Sequence, residues 1–327
     1  MSKILMCYPQ SSSDGWEETG RFIHEAFNRA GHTVVPFDDL YWAGKLDSVV
    51  AMNDLLIKKI AKEKPDFFFM LKCEKVLPHY LDNIKCPKIY WHPDVRVNVQ
   101  DWVVDKAKKC DIFYTMSKGS IPQYKAAGVD RVEYLPEACD PHYHFFASEV
   151  DDYWKSDVNF IGSVRQSRID MCKRVIDDGF DFKVWGDLKF DNNDKRYLLA
   201  DMECIKSKFM GKAVYREFHS YAASGGISVT WDWCPEVELS YSARIYRVMA
   251  SRGLYLCKYV NGMEKVFQRG VHCDWYDDLD EMSQKIQYYL DNPKIKEQIG
   301  LAAQKEVYEK HTFDNRINVM TKWMKKN

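Results

Sequence analysis

The stretch Lys64–Lys72, KPDFFFMLK, sets the fold class. Pro65 halts the helical pattern before it, and Phe67 to Leu71 is then an unbroken apolar run of strand length. A strand with one wet face alternates polar and apolar residues. One that does not alternate is buried on both faces, as in a parallel sheet covered by helices. Upstream, Ile4 to Cys7 reads as a strand running into Pro9 and the turn-forming loop Ser11 to Gly15. Phe22, Ile23, Ala26, Phe27 and Ala30 then recur at helical spacing up to Gly31, which is followed by a strand at Thr33 to Phe37 and an amphipathic stretch through Val50, Leu55, Leu56 and Ile60. Downstream, strands are expected at Lys88 to Trp91, Asp111 to Met116 and Val132 to Leu135, with helices at Trp102 to Lys109 and Ile121 to Ala127. Six strands with interleaved helices predict one doubly wound α/β domain.

A second cycle follows Pro136, Pro141 and the charged segment Glu149 to Asp152, read as a linker. Strands are expected at Val158 to Ile161, Phe182 to Trp185, Ile227 to Trp231, Leu254 to Lys258 and Cys273 to Tyr276, with helices at Arg168 to Ile176 and Tyr241 to Ala250 and three more from Leu279 onward. The predicted organisation is an N-terminal domain over 1–148, a second α/β domain over 149–310, and a C-terminal helix over 311–327 that packs back toward the first.

The chain has 327 residues, 46% hydrophobic and 29% charged, which excludes a disordered or fibrous protein. Its 47 basic and 48 acidic residues leave a net charge of -1, so no global field favours nucleic acid, and an anion site must be local. Ten cysteines without short paired spacings point away from zinc and redox motifs and toward a reducing compartment. The start MSKILMCYP lacks the features of a signal peptide, and no apolar run is long enough to span a membrane. A cytoplasmic protein without a membrane span is expected.

In open α/β sheets ligands bind beyond the carboxyl ends of strands. Neither G-x-G-x-x-G nor the P-loop pattern occurs, which counts against the usual dehydrogenase and P-loop readings. The expected strand Val158 to Ile161 runs into Gly162, Ser163, Val164, Arg165, Gln166, Ser167 and Arg168. Glycine lets backbone approach a ligand, and Arg165 and Arg168 fall one turn apart at a helix start, which makes a plausible diphosphate cradle. The plainer reading is a capped helix with two solvated arginines. Arg244 and Arg247 form a second basic pair, whose plainer reading is a surface helix edge paired with Glu236 or Glu238. In the first half, Trp91 is followed by His92, Pro93 and Asp94, an imidazole and a carboxylate at a strand exit that suit acid–base or hydrogen-bonding roles. Asp14 in the first loop is a further carboxylate, or simply a helix cap. Metal ligation is not expected, and His142 and His144 read as linker residues.

Together these stretches resemble the CgeB-type glycosyltransferase group 1 family, whose members have the GT-B fold. The resemblance rests on Asn159 to Ser163 with Arg168, Ser242 to Gly253, Gly262 to Phe267, Cys273 to Glu281, Glu309 to Arg316, Trp91 to Asp94 and Tyr134 to Ala138 with Asp140-Pro141. It implies two facing Rossmann-like domains with a cleft between them, and a metal-independent, hexosyltransferase-like enzyme using no cofactor beyond a nucleotide-diphosphate sugar donor. The donor would be held by Gly162, Ser163, Arg165, Arg168, Trp185, Arg244, Tyr246, Arg247 and Tyr276. His92, Asp94 and Asp14 would serve the chemistry on the side of an acceptor that stays open: protein, glycan, small molecule or modified nucleic acid. Related retaining enzymes carry two glutamates in a pattern whose positions fall here on Leu239 and Arg247. A guanidinium cannot accept a hydrogen bond from ribose, so an inactive nucleotide-sugar-binding protein is an alternative, as is a sugar-nucleotide epimerase or hydrolase.

Overall fold

The computed structural model describes residues 1–10, 16–164, 167–186, 199–211 and 217–326. The chain divides into two units, the first made of Met1–Glu137, Val237–Ser240 and Phe313–Asn327, the second of Ala138–Glu236 and Tyr241–Thr312.

In the first unit β1 (Lys3–Cys7), β2 (Thr33–Phe37), β3 (Phe67–Leu71), β4 (Lys88–His92), β5 (Ile112–Thr115) and β6 (Val132–Tyr134) form a parallel sheet in the order β2-β1-β3-β4-β5-β6. All five residues of β3 are buried, as its continuous apolar run requires. Ile4 pairs with Phe67 on one side of it and Phe68 with Lys88 on the other. Pro36, which cannot donate to a neighbour, sits in the edge strand β2. Leu5, Phe68, Met70, Tyr90 and Phe113 lie in one core cluster. Each is fully buried, and complete burial of a large apolar side chain contributes about 1.5–3 kcal/mol.

The last helix, Phe313–Met324, belongs to this unit. Phe313 meets Phe22 at a centroid distance of 5.6 Å, Asp314 pairs with Arg29 at 2.9 Å, and Thr321 Oγ1 lies 3.2 Å from His32 Nε2. Arg316 is buried and donates to the carbonyls of Pro136, at 2.8 Å, and Glu137.

In the second unit β7 (Val158–Ile161), β8 (Phe182–Trp185), β9 (Ile227–Thr230), β10 (Leu254–Lys258) and β11 (Asp274–Tyr276) form another parallel sheet, in the order β11-β10-β9-β7-β8. Two backbone-to-hydroxyl bonds, Phe145 N–H to Ser220 Oγ at 3.0 Å and Ala147 N–H to Ser224 Oγ at 2.9 Å, tie the stretch before Glu149 to this unit. The unit boundary therefore falls at Glu137–Ala138, ahead of the charged segment. Three short helices escape the sequence reading, Asp39–Lys45, Leu199–Lys206 and Glu217–Ala223. The helix expected from Tyr241 begins at Arg244. Each unit is thus a parallel sheet flanked by helices.

Candidate functional site

The order of the second sheet creates a switch point between β7 and β9, which are neighbours although the chain leaves β7 toward β8 and β9 toward β10. Such a point opens a crevice beyond the strand ends, and ligands of doubly wound sheets bind there. The residues that follow these strands are Gly162 and Ser163 on one side and Trp231 and Asp232 on the other.

The backbone at the end of β7 is built for close approach. Gly162 has φ +152° and its N–H donates to Trp185 O at 2.7 Å. A Cβ there would strike the Arg244 guanidinium, and one on Gly186 would strike the Gly162 carbonyl. Glycine is required at 162 for conformation and for space.

Arg244 and Arg168 cross this switch point. Arg244 donates to the carbonyl of Ile161 and to Thr230 Oγ1, while Arg168 donates to Ser163 O at 2.8 Å and Trp231 O at 2.7 Å. Both guanidiniums lie near the Phe160 ring, 5.2 Å and 5.7 Å from its centroid, within cation–π range. Arg244 finds its carboxylate in Asp232, 3.7 Å away and buried, not in Glu236 or Glu238. Asp232 also accepts from Tyr255 Oη at 3.0 Å and from Ser242 N–H at 3.4 Å. Glu238 pairs instead with Lys118. Two cations are thus held at the switch point by backbone carbonyls, the Thr230 hydroxyl and one carboxylate.

The remaining donor-side residues are placed differently. Trp185 is buried and stacked on Trp154, with centroids 4.7 Å apart, and buried Tyr276 donates its hydroxyl to Thr230 O at 2.9 Å. Tyr246 is fully buried against Tyr241, Phe267 and His311. All three rings are buried and offer no open face for stacking. Arg247 stands near His144 and His219, two buried imidazoles whose pKa values are pushed well down by burial first and by this guanidinium next. His144 is therefore a core residue of the second unit and not a linker residue. Its Nδ1 accepts from Asp140 N–H at 2.9 Å. Arg165 lies outside the described residues.

In the first unit His92 ends β4 and is 1% exposed. Its ring meets Trp102 edge-on at 5.2 Å. Burial pushes its pKa down to about 4; Asp94 opposes the shift, and Lys72 and Lys106 add to it. The imidazole is neutral near pH 7, which suits it to hydrogen bonding or orientation and not to the part of a charged acid. Asp94 lies 3.7 Å from the Lys72 ammonium and is the more exposed of the two candidates. Lys72 follows β3, which neighbours β1 at the first sheet's own switch point. Sequence reasoning passed over it; its position directly after a strand buried at all five residues was the available signal. Asp14 lies outside the described residues. Among the described residues, Cys7, Asp39 and Cys73 form the one group that could supply three ligand atoms to a metal.

Comparison with known proteins identifies the two helix-flanked parallel sheets as the GT-B fold. Residues 165–322 match the model of a glycosyl transferase-like family. No curated protein matches the chain. Among solved structures, a glycosyltransferase from Rickettsia africae is similar over 99% of this chain and 98% of its own, with a TM-score of 0.69 at 13% identity. Sucrose-phosphate synthase from Thermosynechococcus elongatus matches over 100% and 99%, with a TM-score of 0.71 at 11% identity. HepE from Anabaena, solved in complex with UDP and glucose, matches over 100% of both chains, with a TM-score of 0.69 at 12% identity.

Proposed function

We propose that this GT-B chain is a glycosyltransferase that moves a sugar, as a hexosyltransferase does, from a nucleotide-diphosphate sugar to an acceptor hydroxyl, with no metal at the diphosphate. The observation that carries this reading is the placing of Arg168 and Arg244 across the β7–β9 switch point, inside the segment that matches the glycosyl transferase-like family. Departure of a nucleoside diphosphate builds negative charge on phosphate oxygens while the anomeric carbon becomes cation-like. Fixed cations at that place stabilise the transition state more than the ground state. Gly162 lets the backbone come close to the diphosphate, and the Arg244 guanidinium, fixed by Ile161, Thr230 and Asp232, meets its charge without having to reorganise. A UDP-sugar donor is supported by HepE, which has been solved with UDP-glucose. The CgeB-type resemblance supports the same class, and ten cysteines without a disulfide support a reducing, cytoplasmic setting.

A second reading, a non-catalytic nucleotide-sugar-binding protein, is favoured by Arg247 standing where related retaining enzymes carry a glutamate. Thermal unfolding with UDP-, GDP- and ADP-sugars, followed by assay of nucleotide release with and without acceptor alcohols, separates these readings. Ligand at about a hundred times Kd adds about 2.7 kcal/mol of stability. The proposal expects stabilisation by a nucleotide sugar and release that depends on an acceptor. Stabilisation without release favours the second reading, release without acceptor indicates a hydrolase or epimerase, and no stabilisation by any donor refutes the proposal.

A further inference from the structure

β2, β1 and β3 are consecutive neighbours in the first sheet, and each delivers one polar group to the same end of it. Cys7 is the last residue of β1. Asp39 opens the helix that follows β2, and Cys73 lies in the turn after β3. All three are fully buried. One ligand atom from each lies within 4.8 Å of the other two. We propose that Cys7, Cys73 and Asp39 hold a thiophilic divalent cation, with zinc as the ion that fits this donor set.

Two features of the cluster favour such an occupant, and a third bears on its charge. Asp39 Oδ2 accepts from Lys75 N–H at 2.9 Å, but Oδ1 has no hydrogen-bond partner although it is buried. A buried polar atom left unpaired costs about 1–3 kcal/mol. The turn that brings Cys73 back over β1 puts two consecutive non-glycine residues, Lys72 at φ +62° and Cys73 at φ +49°, in the left-handed region. Such conformations cost of order 1–3 kcal/mol each and persist where the surroundings demand them. Lys106, also buried, donates from Nζ to the Cys73 carbonyl.

The charges then balance. Two thiolates and a carboxylate around a divalent ion leave one net negative charge, and the Lys106 ammonium cancels it. Binding breaks both S–H bonds and releases two thiol protons to solvent, plus any proton on Asp39, while two metal–sulfur bonds and one metal–oxygen bond form; nothing is oxidised. Zinc–sulfur bonds of about 2.3 Å set tetrahedral sulfur–sulfur edges near ~3.8 Å, so the three atoms draw together by about 1 Å at most. No fourth ligating side chain belongs to the group, which leaves the last position to an oxygen donor; the Cys7 carbonyl is 3.0 Å from Cys73 Sγ. The site lies inside the first unit and does not depend on the reading of the donor site.

The test uses the full chain, refolded under reducing, oxygen-free conditions with cobalt(II) as the probe. The proposal expects about one equivalent retained after gel filtration, with thiolate-to-cobalt charge-transfer absorption that zinc abolishes. Asp39→Asn, close in shape, and Cys73→Ser should lose most of the retained cobalt, whereas Cys86→Ser should keep it. The wild-type measurement stands even where a variant fails to fold. Retention below about a tenth of an equivalent overturns the proposal, as does a retained ion that all three variants keep. A Cys7–Cys73 disulfide found by peptide mapping of the natively purified chain overturns it too, because it assigns the two thiols to each other.

Discussion

Replacing His92 with Gln tests whether a neutral imidazole is buried at the end of β4. The folded pKa is near 4 against an ordinary value of 6.5. Because the folded state resists protonation, the stability tied to this histidine is fully present above about pH 6.5 and is lost as pH falls toward 4. Each unit is worth about 1.36 kcal/mol, so between about pH 7.5 and about pH 5 the wild type should lose ~2 kcal/mol that His92→Gln does not lose. Burial sets the shift, and the charged groups that modulate it, Asp94, Lys72 and Lys106, all remain in the variant. Buried Asp39, raised by desolvation to about 6, titrates in the opposite sense, its stability falling as pH rises through that value. It is common to both proteins and cancels in the difference, as do His144 and His219. Urea unfolding of both proteins across this range, followed in the transition that exposes the first unit, reads the difference directly. Parallel curves would refute the buried neutral imidazole. A wild type that loses stability relative to the variant as pH rises would mean that His92 is held as a cation.

Arg244→Gln should weaken binding of a nucleoside diphosphate far more than of the nucleoside, measured by calorimetry, and should also destabilise the chain by ~3 kcal/mol because buried Asp232 loses its cation. Gly162→Ala should displace the Arg244 guanidinium and lower donor affinity about tenfold or more, since the added methyl occupies that guanidinium's place; unchanged affinity would remove Arg244 from the diphosphate. Asp94→Asn should abolish nearly all turnover, by about 10²-fold or more, if Asp94 takes the acceptor proton, and leave measurable turnover if it only orients, with donor affinity unchanged in both cases.

The strands were legible because each carries its own evidence. Phe67–Leu71, Val158–Ile161, Phe182–Trp185 and Leu254–Lys258 match their expected bounds, since unbroken or nearly unbroken apolar runs between breakers leave little choice of register. Asp39–Lys45 is too short for periodicity to show, although Asp38 caps it by accepting from Tyr41 N–H at 2.9 Å. At the candidate site, Gly162, Ser163 and Arg168 could be found because they directly follow a strand. The partners of Arg244 could not, because Ile161, Thr230 and Asp232 come from two other strand ends that only the sheet order brings together. The same limit hid Cys7 and Cys73, 66 residues apart and joined only by the pairing of β1 with β3. Tyr246 and Tyr276 could not be told from exposed aromatics, because their burial leaves no mark on spacing alone.

The closing helix of the first unit has a consequence for the order in which the protein is made. Residues 1–137 leave the ribosome before the helix Phe313–Met324, yet Phe22 in the helix Trp16–Arg29 packs against Phe313, and the carbonyls of Pro136 and Glu137 accept from Arg316. The whole second unit is translated in between. The first unit is thus completed only after the second has been translated, and until then Phe22 lacks the ring of Phe313 that covers it in the folded unit.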